Sequence, residues 1–288
     1  MVSADEEDSV VRMARWAVVL AMVAAVAMVA GCGKNATTGT KAPKTLLVLV
    51  PCGQMGPFSE VEDLFRKAHP EVKLDWAGLN MVTMTEEVLG GKKKPDAFLS
   101  MGDLEVDRLA KAGLILPETR AKYADNAIVL IVPADNPAGV QSFLDLAKPA
   151  VKAIAIPNPA VNSVGAHAIE ALKGAGIWEK VKDKIVTPQF AADSQELGQK
   201  GQVDASIGYF PCESEVHVKG GEPAKPKGTT LIGFVPAEYY QEFSCEAVVI
   251  KGCKDPEGGK QLIAALETPE AQAIFRKWNF ARTKQEAE

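Results

Sequence analysis

Short unbroken apolar runs alternate along this chain with segments whose apolar positions recur every three or four residues. LLVLV, from Leu46 to Val50, has no polar position, the pattern of a strand covered on both faces. After the turn Pro51 to Pro57 comes SEVEDLFRKAHP, in which Val61, Leu64, Phe65 and Ala68 share a helical face, with Ser59 as the expected cap and Pro70 as the stop. VKLDWAG then predicts a strand, Val82 to Leu89 a helix, DAFLSM a second buried strand, and LEVDRLAKAGL a helix halted at Gly113. Strand and helix in this order predict successive βα units with parallel strands.

A second series starts with AIVLIVP at Ala127 and continues through a helix over Ser142 to Ala147 and strand AIAI at Ala153 to Ile156. Loop PNPAVNSVG, helix AHAIEALKGAG, strand KIVTP, a helix over Ser194 to Lys200 and strand VDASIGYF follow. Beyond the turn-rich KGGEPAKPKGTT come strands TLIGFVP and EAVVIKG and two C-terminal helices ending in EAQAIFRKWNF. The expectation is an α/β protein of two lobes: residues 45–126 form the first part of lobe 1 and 127–230 form lobe 2. Residues 231–288 then return to lobe 1.

Ahead of the first strand, Trp16 to Val29 is uncharged and follows Arg12 and Arg15. As a helix it covers about 21 Å, short of the roughly 30 Å hydrocarbon core, so it reads as the apolar region of a secretory signal. Val29-Ala30-Gly31-Cys32 ends it as a lipobox does. Residues 1–32 are therefore expected to be a lipoprotein signal peptide, with lipid placed on Cys32 and the mature chain held on the membrane without spanning it. Asp5, Glu6, Glu7 and Asp8 do not suit a signal's positive start, whereas translation from Met13 leaves a suitable one. Residues 33–44, small and polar, form a tether. The location implied is the bacterial cell envelope, on its periplasmic side.

Charge and cysteines narrow the function. A net charge of −5 with no basic stripe excludes a nucleic-acid partner, and Lys92-Lys93-Lys94 before a proline reads as a solvated turn. Besides Cys32, Cys52, Cys212, Cys245 and Cys253 remain, in a compartment that permits disulfides. Cys245 and Cys253 flank a predicted strand that would hold them about 26 Å apart, too far to bridge.

In open α/β sheets a ligand binds beyond the carboxyl ends of the strands, which here points to loops 51–57, 78–84, 157–165 and 209–213. His69, His167 and His217 have no nucleophile at motif spacing, and no metalloprotease, hydrolase, P-loop or dinucleotide motif is present. His167 falls in the first turns of a helix beside a candidate ligand loop. A binding protein without cofactor is expected, not an enzyme.

LVPCGQMGPFSEVEDLFRKAHPEVKLDWAG followed by PDAFLSMGDLEVDRLAKAGLI resembles the first lobe of the ModA-like molybdate- and tungstate-binding proteins of ABC importers. IVPADNP, AIPNPAVNSVGAHAIEAL, KGQVDASIGYF and ETPEAQAIFRKWNF extend the resemblance through the second lobe to Phe280. It implies a periplasmic-binding-protein-like fold of type II, a clamp that closes on a small inorganic oxyanion and delivers it to permease and ATPase subunits. It places the first-turn ligand near Gly53, with Cys52 and Gln54 beside it, and the second near Leu79 or Asn80. In the second lobe it places backbone donors near Val164 and Ser194 and the tyrosine hydroxyl at Tyr209.

Two hydroxyl ligands of that pattern are missing, so an oxyanion would depend on backbone donors, Gln54, Asn80, Ser163 and Tyr209. Cys52, Met55, Met81, Met84, Met101 and Cys212 occupy the same loops, and thiolates and thioethers suit soft metals. The alternative is therefore a clamp for a thiophilic metal held by Cys52, Met55, Met101 and Cys212. A Cys52–Cys212 disulfide across the cleft competes with both readings, and a ligand-binding subunit of a sensor is a third role for the same fold.

Overall fold

The computed structural model describes residues 44–213 and 227–281. The signal segment, Cys32, residues 33–43 of the expected tether and His217 lie outside the described residues, whereas Lys44 already belongs to the first strand.

Two five-stranded sheets organise the chain, one in each lobe. The first contains β1 (Lys44–Pro51), β2 (Val72–Leu79), β3 (Ala97–Ser100), β4 (Ala121–Asp125) and β10 (Ser244–Val248), in the order β2-β1-β3-β10-β4. The second contains β5 (Ile128–Pro133), β6 (Ile154–Ala155), β7 (Ile185–Val186), β8 (Ala205–Tyr209) and β9 (Thr229–Phe234), in the order β7-β6-β8-β5-β9. β3 and β5 are buried at every position, as their unbroken apolar runs require. The helices are α1 (Met55–Ala68), α2 (Met81–Leu89), α3 (Leu104–Lys111), α4 (Ser163–Gly174), α5 (Trp178–Val181), α6 (Ala191–Gln199), α7 (Phe210–Glu213), α8 (Pro256–Leu266) and α9 (Pro269–Lys277).

Both sheets are mixed: the strands of the first series are parallel, as expected, and later strands join antiparallel. β1 runs parallel to β2 and β3, but β10 is antiparallel to both β3 and β4. In lobe 2, β6 is parallel to β7 and β8, whereas β5 is antiparallel to β8 and β9. The two reversed strands have a common cause. β5 is the first strand after the chain leaves lobe 1 and β10 the first after it returns, so each enters its sheet from the end at which the parallel strands finish. The return is also later than residue 231, because β9 pairs with β5 in the second sheet and only β10 lies in the first.

Local details differ for physical reasons. α1 begins at Met55, and Ser59 lies inside it with its hydroxyl donating to the Gly56 carbonyl at 2.8 Å, so it does not cap. Asn80 caps α2, its side chain accepting from Val82 N at 2.9 Å, and Asn162 does the same for α4 from Val164 N at 3.1 Å. α4 therefore starts at Ser163, three residues before the apolar pattern suggested. Asp96, buried, accepts from Leu47 N at 2.8 Å and from Asp255 N at 2.7 Å, tying β1 to the turn that starts α8.

Candidate functional site

β1, β2 and β3 end at Pro51, Leu79 and Ser100, and β8 ends at Tyr209. Their following loops converge on one cavity of about 360 Å³. Lobe 1 contributes Cys52, Gly53, Asn80 and Met101, and lobe 2 contributes Ser194, Ser206, Tyr209 and Cys212. Trp278 and Phe280 complete the wall from the turn after α9. Among the described residues, no lysine, arginine, aspartate, glutamate or histidine lines it.

Six of the expected binding residues, Cys52, Gly53, Asn80, Ser194, Tyr209 and Cys212, thus meet at the cavity. Gln54, Ser163 and Val164 do not. The short helical turn Cys52–Gln54 exposes Cys52 but turns Gln54 into the core, where its side-chain oxygen accepts from the buried Tyr123 hydroxyl. Of the sulfur residues, Cys52, Met81, Met101 and Cys212 line the cavity. Met84 is fully buried, and Met55 is 46% exposed with its thioether packed on Gly78, so Met55 leaves the proposed metal set. Cys52, Cys212, Cys245 and Cys253 are not disulfide-bonded, and Cys245 is buried within β10.

Ser163 belongs to a junction between the lobes. Its hydroxyl donates to the buried Glu105 of α3, its backbone N–H donates to the same carboxylate at 3.0 Å, and its oxygen accepts from Leu104 N at 3.0 Å. The Glu105 carboxyl group therefore occupies the N-terminus of α4 and takes up the N–H and hydroxyl of Ser163 that a ligand there would need. Burial raises its pKa, and the bonds from Ser163 offset only part of that rise. Val164 N donates to Asn162 and to the Tyr209 hydroxyl, both at 3.1 Å, so it too is spent. Burial, reinforced by the Glu105 carboxylate, pushes the Tyr209 phenol upward, which keeps it protonated.

Beside this junction His167 of α4 meets Asp103 of lobe 1 at 3.1 Å and Glu170 at 3.3 Å, and stacks on Phe243 at 4.2 Å between centroids. Burial lowers the His167 pKa, but the two carboxylates outweigh it, and the result lies above 6.5. Burial likewise opposes ionisation of Asp103, yet His167 holds that carboxyl below its ordinary value. A raised histidine pKa contributes stability in full below about pH 6.5, lost as pH rises through the folded value. Urea unfolding of the wild type is expected to show stability falling as pH rises from about 6.5 through the folded value of His167. His167→Gln should flatten that segment, and an unchanged slope would exclude the pair as its source.

Glu105, Ser206, Trp278 and Phe280 escape a reading based on loops alone. Glu105 lies four residues before Leu109 on the face of α3 that buries, and a charge there was the available signal. Ser206 is a polar position between apolar neighbours in a buried strand. Trp278 and Phe280 are placed by a helix-ending turn. Asn279 takes φ 62°, Phe280 N donates to Phe275 O at 3.0 Å and Asn279 N to Arg276 O at 2.9 Å, the bonding of a Schellman motif.

Two α/β lobes, joined by the segments between β4 and β5 and between β9 and β10 and sharing a cleft at their strand ends, define a solute-binding protein of the clamp type. Residues 46–281 match the family described as bacterial extracellular solute-binding protein, and the chain belongs to it. These are receptors of ABC transporters, not enzymes. Among relatives, the putative ABC transporter substrate-binding lipoprotein YvgL of Bacillus subtilis (strain 168) is 24% identical over 267 residues, covering 92% of this chain and 98% of that one. The molybdate-binding protein ModA of Rhodobacter capsulatus is 25% identical over 185 residues, 64% of this chain and 68% of its own. The periplasmic molybdate-binding protein of Azotobacter vinelandii superposes with a TM-score of 0.64 at 19% identity, over 83% of this chain and 100% of that structure. The fold is thus that of ModA-like type II periplasmic binding proteins.

Proposed function

We propose that this protein is the receptor of an ABC importer for a solute bearing an oxyanion group, with molybdate, which its ModA relatives bind, and the chemically similar tungstate the first inorganic candidates. In this reading Cys32 carries the lipid that keeps the receptor on the membrane beside its permease and ATPase subunits. One observation supports the oxyanion most directly. Ser194 and Ser206 line the cavity as 2% exposed residues, and neither hydroxyl has a hydrogen-bond partner among the described residues. Ser194 sits in the first turns of α6, whose leading residues Ala191 and Ala192 also line the cavity. An unspent hydroxyl in the first turns of a helix, with a second from a residue lining the same cavity, favours an anion without a full positive charge.

Thermal unfolding with molybdate, tungstate, sulfate, phosphate and organic oxyanions tests this. A ligand at 100 times its Kd adds about 2.7 kcal/mol to stability. Ser194→Ala is expected to weaken binding roughly tenfold or more, the value of a hydrogen bond to a charged group. If no oxyanion of either kind stabilises the protein, the reading falls.

A soft-metal reading keeps one specific observation in its favour. A Cβ on Gly53 would stand 2.8 Å from Met101 Sδ and 2.9 Å from Cys212 Sγ, so a thioether and a thiol converge on the backbone beside Cys52. Cu(I) added to the reduced protein should then stabilise it, and Cys212→Ser should abolish that response. A sensor kinase gene beside this one, in place of permease and ATPase genes, would favour signalling over transport.

A further inference from the structure

We propose that the anion held in this cleft is organic: an oxyanion group on a small apolar substituent. The headgroup meets Ser194, Ser206 and the start of α6, and the substituent rests against Met101, Trp278 and Phe280. The inference depends on the oxyanion reading and narrows it to a chemical class.

Size is the first argument. At the ~30 Å³ that a water occupies in the liquid, the cavity of about 360 Å³ has room for about a dozen waters. A tetrahedral ion has five heavy atoms and fills only part of that. The lobes already touch along one side of this cleft, where Glu105 of lobe 1 holds Ser163 of lobe 2 and Asp103 meets His167 at 3.1 Å. The volume is also within the range of sites that enclose small organic ligands.

Donor supply is the second. A bare oxyanion needs donors around its whole surface, since each oxygen left against apolar groups forfeits its hydration. The α4 N-terminus, which would supply one side, is already occupied. Ser163 N and Oγ are given to Glu105, and Val164 N to Asn162 and Tyr209. Among the described residues, the cavity-lining hydroxyls with no partner, Ser194 and Ser206, both belong to lobe 2, as does Tyr209, whose hydroxyl accepts from Val164 N.

The chemistry of the remaining wall is the third. The indole N–H of Trp278 donates to Glu60 at 3.0 Å, so the ring presents carbon to the cavity. Phe280 is fixed edge-on to Phe275 at 5.8 Å, and Met101 adds a polarisable thioether, which packs well on flat or irregular apolar groups. A carbon substituent fits this wall where a fourth oxygen would lose its water without replacement.

Isothermal titration of the purified protein with matched pairs, phosphate against phenylphosphonate and sulfate against benzenesulfonate, isolates the substituent. The organic member of at least one pair is expected to bind tenfold or more tightly than its inorganic partner and more tightly than molybdate. Phe280→Ala should reduce that ratio to below about threefold, whereas Ser194→Ala should weaken both members alike. The wild-type comparison needs no variant to fold. Molybdate, phosphate or sulfate binding as tightly as the organic members would overturn this inference and leave the oxyanion reading standing. Binding by none of the compounds would overturn both.

Discussion

Ser163→Ala is expected to lower the free energy of unfolding by on the order of 3 kcal/mol while leaving the intrinsic affinity for ligand nearly unchanged. Ser163 is fully buried, and its hydroxyl both donates to Glu105 and accepts from Leu104 N. Without it, a buried carboxylate loses a donor and a backbone N–H loses its acceptor. Each is costly where no water can substitute. A residue that touches the ligand would behave in the opposite way, costing affinity and little stability. Urea unfolding together with titration of ligand separates the two, and a stability loss under about 1 kcal/mol would refute the structural role. Glu105 also sets a pH signature. Its folded pKa is raised above 4.5, so its contribution is largest below about pH 4.5 and declines as pH rises through the folded value. Glu105→Gln should remove that decline.

Gly165→Ala is expected to cost about 3 kcal/mol, although helix propensity alone favours alanine over glycine by roughly 1 kcal/mol. Gly165 is in the first turn of α4, and a Cβ there would lie 2.0 Å from the Pro157 carbonyl oxygen and 3.1 Å from Pro159 Cα. Both are backbone atoms of a loop stiffened by its prolines, so no side-chain rotation relieves the overlap. The loop or the helix must move, and with it the junction at Ser163. Unchanged or increased stability in a urea titration would show that the approach is looser than described.

How much of this could be read from sequence depended on whether a residue's role was set locally. Leu46 to Val50 and Ile128 to Val132 announce buried strands by composition alone, and the amphipathic face of α1 is equally plain. β4 does not, because AKYAD buries only Tyr123 and Ala124 and becomes a strand by pairing with Ser244 to Ala247, far along the chain. At the site, Cys52, Asn80 and Tyr209 were accessible to reasoning because ligand clefts form at strand ends. Gln54, Ser163 and Val164 lie off the cavity wall for a reason no local pattern carries: the partner that takes up each donor or acceptor, Tyr123, Glu105 or Tyr209, comes from a distant segment. Ser206 was hidden within a strand, and Trp278 and Phe280 depended on the chain reversal at Asn279.

The position of β10 also constrains the order in which the molecule can be assembled. Lying between β3 and β4, it separates two strands that precede it by an entire lobe of chain. While synthesis or export proceeds from the N-terminus, β3 and β4 must wait with open edges until the second lobe has passed and Ser244 to Val248 arrives. Pairings so distant in sequence form slowly, and unpaired edges invite association. The first lobe to emerge is therefore the last to be completed, and a chain ending before β10 would leave a split sheet in place of a half-receptor.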